Sequence, residues 1–150
     1  MNLYAFDEDQ NIVLAAPLAV DTVPSGPLVL PTGTTVASHY VFFDPATTQS
    51  IVGTVDFDAH VIAIVSSTGN LLDSDFLADT GVNYLTPSAR GLEAGDFVTI
   101  GGARQIRFDT TASTPGDDVR VLTAFLPSAV PEPGLIGAGL AGLAAARRRS

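Results

Sequence analysis

From Gly134 to Ala146 the chain offers no polar side chain, and Arg147, Arg148, Arg149 and Ser150 close it. Such a run satisfies its own backbone as a helix in an apolar medium, and it has neither the alternation nor the turn chemistry of a strand in a water-facing domain. Ahead of it stands Val130-Pro131-Glu132-Pro133. Each proline there lacks a backbone donor and pushes the residue before it toward extended conformations. The motif therefore reads as an exposed, protease-accessible connector. The sequence divides accordingly into a body, residues 1–127, and a tail, residues 128–150.

The tail has the order needed to halt a chain in a bilayer. Leu135, Ile136, Leu140 and Leu143 are its large aliphatics, and at about 0.3 to 0.6 kcal/mol each they supply about 2 kcal/mol of insertion free energy. At about 1.5 Å per residue the apolar run spans about 20 Å, against about 30 Å of hydrocarbon. The expected anchor is therefore short and transient. Arg147, Arg148 and Arg149 resist translocation and hold the C-terminus on the cytoplasmic side, which places the body outside.

At these residues the chain resembles the PEP-CTERM sorting signal, which is found on envelope proteins of Gram-negative bacteria and processed by an exosortase-type membrane peptidase. The resemblance rests on Val130, Pro131, Glu132 and Pro133 as the sorting motif. It extends to Leu135, Ile136, Leu140 and Leu143 as the membrane-anchor segment and Arg147, Arg148 and Arg149 as the basic stop. It implies processing at or near Pro-Glu-Pro, passage through the inner membrane and a final place in the envelope or outside the cell. The body also resembles a group of small PEP-CTERM proteins, through residues 9–14, 40–45, 90–93 and 113–124, and that group brings no assigned chemistry. An exported chain needs a leader, yet Met1 to Asp9 has neither a basic n-region nor an apolar h-region. The expectation is that the native start lies upstream and that the signal peptide is missing from this chain.

Composition narrows the partners. Residues 1–130 hold all but one of the 16 acidic residues and four of the seven arginines, giving the body a formal charge of −11 and the tail +2. An acidic body without lysine repels nucleic acid and anionic lipid at long range, so no nucleic-acid partner is expected. The absence of cysteine removes disulfides, thiolate catalysis and cysteine-bound zinc.

The body is a series of short runs rich in Val, Ile, Thr, Phe and Tyr between turn signals, the all-β pattern. Strands are expected near Asn11 to Ala16, Val36 to Phe43, Ile51 to Phe57, Val61 to Ser66, Phe97 to Ile100, Gln105 to Thr111 and Val119 to Phe125. Seven such strands predict an antiparallel β-sandwich, jelly-roll-like, with one short helix, and a short apolar helix in the tail. Thr114-Pro-Gly-Asp117 fits a type II turn joining a hairpin, and Asp58-Ala59 is expected to make another. Gly101-Gly102 reads as a β-turn, because no helix or lysine follows to make a phosphate loop. The helix is expected within Leu71 to Asp79, capped by Asp73 or Ser74, with Phe76 and Leu77 turned inward. Val20 to Thr35, broken by Pro24, Gly26, Pro27, Pro31 and Gly33, reads as a loop with at most a brief edge strand near Leu28 to Leu30.

Chemistry is sparse. His39 and His60 are the available bases, no G-x-S-x-G elbow accompanies them, and both read as structural or exposed. Asp56 and Asp58 share a strand face as a glycosidase pair does, but no Trp is present to hold a sugar against them. The oxygen-rich groups Asp7-Glu8-Asp9, Asp56 with Asp58, and Asp73 with Asp75 leave calcium as the one candidate cofactor, and none has the EF-hand spacing. No catalytic, cofactor-binding or metal residue is assigned from the sequence. The reading is a non-enzymatic envelope or matrix protein. The alternative is a carbohydrate-binding module on extracellular polysaccharide, using Tyr4, Tyr40 or Tyr84 as stacking surfaces.

Overall fold

The computed structural model describes residues 2–124. The sorting motif, the anchor segment, the arginine cluster and the helix expected in the tail lie outside these residues. The chain runs through β1 (Tyr4–Asp7), β2 (Ile12–Val13), β3 (Leu18–Ala19), β4 (Val29–Leu30), β5 (Thr35–Phe43), β6 (Gln49–Asp56) and β7 (Val61–Val65). A helix α1 (Thr68–Asp73) and 3₁₀ turns at Asp75–Leu77 and Pro87–Ala89 follow, and then β8 (Phe97–Gly102), β9 (Gln105–Ala112) and β10 (Asp117–Ala124).

All strand pairings are antiparallel, in sheets ordered β1-β5-β10-β7, β6-β9-β8 and β3-β4, with β2 beside β5. The burial patterns explain the layering. Along β9 buried and exposed positions alternate, and β6 alternates half-buried with exposed, so each strand has one face to water. β5 and β10 are buried almost without a break, which requires cover on both faces. One face gives Val41, Phe43, Val119 and Val121 to a core shared with Ile106, Phe108 and Ala112 of β9. The other gives Val36, Tyr40 and Leu122 to a second core, closed by Leu14, Leu18, Leu71 and Leu77.

Both expected hairpins are corrected by this pairing. The Thr114–Asp117 segment joins β9 to β10, which lie in different sheets, and Asp58-Ala59 likewise joins β6 to β7 across sheets. Turn chemistry marks where a chain reverses; the burial demanded by the Val-rich runs of β7 and β10 decides which sheet receives it. The observed two-residue hairpin is β8 to β9 through Ala103-Arg104. Gly101 and Gly102 end β8, where the register shifts, instead of forming the turn. The helix also starts earlier than expected, after Ser67. Leu77 is fully buried as expected, whereas Phe76 is 55% exposed. A 3₁₀ turn advances about 120° per residue, so neighbouring side chains cannot both face inward. The brief strand near Leu28 to Leu30 is β4, paired with a strand at Leu18–Ala19 that was not expected. Among the described residues no helix is long and apolar enough to cross a membrane.

Candidate functional site

The second core face carries polar groups in cross-strand rows. Register aligns Phe6, Tyr40, Arg120 and Val65 across β1, β5, β10 and β7, with Tyr4, Phe42 and Asp118 in an adjacent row. Arg120 lies at the centre of this face and is fully buried. Its Nε donates to Glu8 Oε2 at 2.6 Å and its Nη2 to Glu8 Oε1 at 2.9 Å. Nη1 donates to the Leu71 carbonyl at 3.1 Å and to Ser74 Oγ at 2.6 Å, and Nη2 also reaches Asp75 Oδ1 at 3.2 Å. Five contacts match the five donors of a guanidinium. Ser38 Oγ donates to Glu8 Oε2 at 2.7 Å, and the Tyr84 hydroxyl donates to Oε1. Burial alone pulls the Arg120 pKa down, but the Glu8 hydrogen bonds and the charges of Glu8 and Asp75 outweigh it and raise it.

Arg90 extends the network. Its Nη2 and Nη1 donate to Asp75 at 2.8 and 3.2 Å, and its guanidinium lies 5.7 Å from the Tyr40 ring centroid and 5.4 Å from that of Tyr84. Burial raises the Asp75 pKa, but hydrogen bonds from Arg90 and the charges of both arginines overcome it and hold the carboxyl below its usual range. Asp118 Oδ1 accepts the Gly91 backbone N–H at 2.6 Å. The network thus pins α1, both 3₁₀ turns and the segment to Gly91 onto the sheet.

Between that segment and the sheet end opens a cleft of about 230 Å³. Phe6, Tyr40, Phe42 and Tyr84 supply aromatic lining, and Asp44, Asp118, Asn83 and Arg90 supply polar lining. The rings form a connected set, with centroids 5.4 Å apart for Tyr4 and Phe42, 6.2 Å for Phe6 and Tyr84, and 4.9 Å for Tyr40 and Tyr84. Thr86 lines the wall with φ 48° and ψ 59°, a left-handed conformation that costs a β-branched residue free energy. Arg90 Nε, buried, has no hydrogen-bond partner among the described residues, and the buried Tyr40 hydroxyl has only the Asp118 carboxylate near it, outside good hydrogen-bond geometry. Burial, and then the charge of Asp118, push the Tyr40 phenol well above its ordinary value.

His39 occupies a separate cleft. Its Nδ1 lies 2.7 Å from Asp7 Oδ1 and its Nε2 2.9 Å from Thr123 Oγ1, in the order carboxylate, imidazole, hydroxyl. Thr123 is 1% exposed, so its hydroxyl is shielded from any carbonyl it would attack. Register explains the contact: Asp7 faces His39 on β1, and Thr123 is diagonal to it on β10. His60 is exposed at the β6–β7 connection, where its carbonyl accepts the Ala124 N–H at 2.9 Å.

The oxygen clusters disperse in three dimensions. Glu8 is taken by Arg120, Ser38 and Tyr84, Asp7 by His39, and Asp75 by both arginines, while Asp56 accepts Gln105 Nε2 at 2.8 Å. Among the described residues no group of three or more His, Asp or Glu is placed to hold a metal ion. The network itself was legible only as one hint: Arg120 stands inside the apolar run Val119 to Leu122, and a charge there must be buried with a partner.

Asp117 is the titratable group most displaced toward physiological pH. It is 2% exposed with Oδ2 unpartnered, and burial, followed by the charges of Asp96, Glu93 and Asp118, raises its pKa to about 6. Between about pH 4 and 6 an unfolded chain releases this proton while the fold retains it, so stability falls across that window. Asp117→Asn removes the penalty. Urea denaturation is expected to show a gain on the order of 1 to 2 kcal/mol at pH 8 and none at pH 3.5; an equal effect at both pH values contradicts the assignment.

Comparison with protein families, characterised proteins and solved structures finds no match to this chain.

Proposed function

We propose that this chain is an exported, non-enzymatic envelope or extracellular-matrix protein whose β-domain is delivered by its tail. The observation that carries the reading is the order Pro131-Glu132-Pro133, apolar run, Arg147 to Arg149. In the PEP-CTERM signals that it resembles, this order presents a protease-accessible connector on the outer side, a short stop in the bilayer and a cytoplasmic cationic end. The partner is then an exosortase-type peptidase, and contact with the inner membrane is transient. A sandwich, jelly-roll-like, is the architecture we assign to the domain, supported by the core that β5 and β10 share with β9. Replacing Pro131, Glu132 and Pro133 by alanine in an exosortase-bearing host is expected to leave full-length protein in the membrane fraction, with release reduced at least about tenfold. Unchanged release overturns the reading.

A second reading, a carbohydrate-binding module acting on extracellular polysaccharide, is favoured by the aromatic cleft. Tyr40 and Tyr84, two of the three tyrosines considered for stacking, meet there beside Phe6 and Phe42, and Tyr4 stacks on Phe42.

A further inference from the structure

We propose that the cleft between the ends of β1, β5 and β10 and the Val82–Arg90 segment binds a single neutral sugar ring of a glycan. This rests on the carbohydrate-binding reading and specifies where and what it binds. Three observations converge there. The cleft has a continuous aromatic wall in Phe6, Phe42 and Tyr84, which suits the C–H face of a pyranose. It carries exposed polar groups, Asp44 and Asn83, able to hydrogen-bond ring hydroxyls. Thr86, held at φ 48° in the wall, is a strained residue of the kind that persists where a site is built.

Size and charge then select the ligand. About 230 Å³ is less than the roughly 300 to 1,000 Å³ of pockets for drug-sized ligands, so one ring fits and a long chain does not. Asp44, Asp117 and Asp118 give the lining a surplus of negative charge over Arg90, and the body adds to it, so an acidic sugar is repelled. An organic cation meets the Arg90 guanidinium already lying over the faces of Tyr40 and Tyr84. A neutral ring avoids both penalties. Leu85, 74% exposed on the rim, provides apolar cover for the ring once it is seated.

The test titrates the full chain, in a sugar-free detergent, with linear tetrasaccharides of glucose, mannose and galactose and with tetragalacturonate, by calorimetry. At least one neutral tetrasaccharide is expected to bind, and tetragalacturonate at least about tenfold more weakly. Asp44→Ala and Asn83→Ala, both at exposed positions and checked for an unchanged melting midpoint, are expected to weaken the neutral ligand at least about tenfold. Phe97→Ala, on the outer face of the β6-β9-β8 sheet, is expected to leave it unchanged. If neutral sugar binds and Phe97→Ala abolishes it while Asp44→Ala and Asn83→Ala do not, the cleft assignment falls and the carbohydrate reading stands. If tetragalacturonate binds best, the ligand class is wrong. If no tetrasaccharide binds, both the cleft proposal and the carbohydrate reading fail.

Discussion

Glu8→Ala is expected to cost about 3 to 5 kcal/mol, a large part of the stability of a domain this size, because it takes the bidentate partner from the buried Arg120 guanidinium and leaves it only Asp75, which Arg90 already shares. Taking two charges out of water costs several kcal/mol for each ion, and their attraction offsets this only when geometry and remaining hydrogen bonds are good. Both conditions hold here: the pair is bidentate, and Ser38, Tyr84, Ser74, Asp75 and the Leu71 carbonyl take up the remaining capacity. The double variant Glu8→Leu with Arg120→Met removes both charges and is expected to recover most of the loss. Arg107 and Asp109, 3.1 Å apart on the outer face of the second sheet, are solvent-exposed, and Asp109→Ala is expected to change stability by less than about 1 kcal/mol. Equal losses for Glu8→Ala and Asp109→Ala in urea denaturation contradict this account of the network.

Gly116→Ala is expected to destabilise by about 3 kcal/mol or more, for a steric reason. A Cβ at this position falls inside the contact distance of the Phe43 carbonyl oxygen and of Asp44 Cα, both backbone atoms that cannot rotate aside. The chain passes this close because β10 begins one residue later and pairs Asp117 with Phe43. Gly26 is the control: its φ of +93° strains alanine, but nothing lies within 4 Å, so Gly26→Ala is expected to cost only about 1 kcal/mol. A Gly116→Ala protein that melts like the Gly26→Ala one removes the close approach from the account.

What the sequence yields and what it withholds follow from the range of the interactions. β5, β6, β7, β9 and β10 are visible as runs of β-branched and aromatic residues because strand formation leaves a local signature. β1 leaves little of one: at Tyr4 to Asp7 three of four residues are exposed, and only its pairing with His39 to Phe42 defines it. Neither turn motif closes a hairpin because the two strands adjacent in sequence each pair elsewhere, and a turn motif contains no information about that choice. Glu8 read as one of three solvated acids, since its partner is 112 residues away. The cleft is assembled from β1, β5, β10 and the Val82–Arg90 segment, so of its lining only the tyrosines could be suspected in advance.

Sorting through the tail is tested most directly by the C-terminal sequence of the mature product. The 150-residue chain, fused behind a heterologous secretion signal, is expressed in an exosortase-bearing host and the released protein is analysed by intact mass and C-terminal peptide sequencing. The account predicts a product that ends at or near Pro131-Glu132-Pro133 and lacks both the Gly134 to Ala146 run and Arg147 to Arg149. A released protein that still carries the three arginines contradicts it.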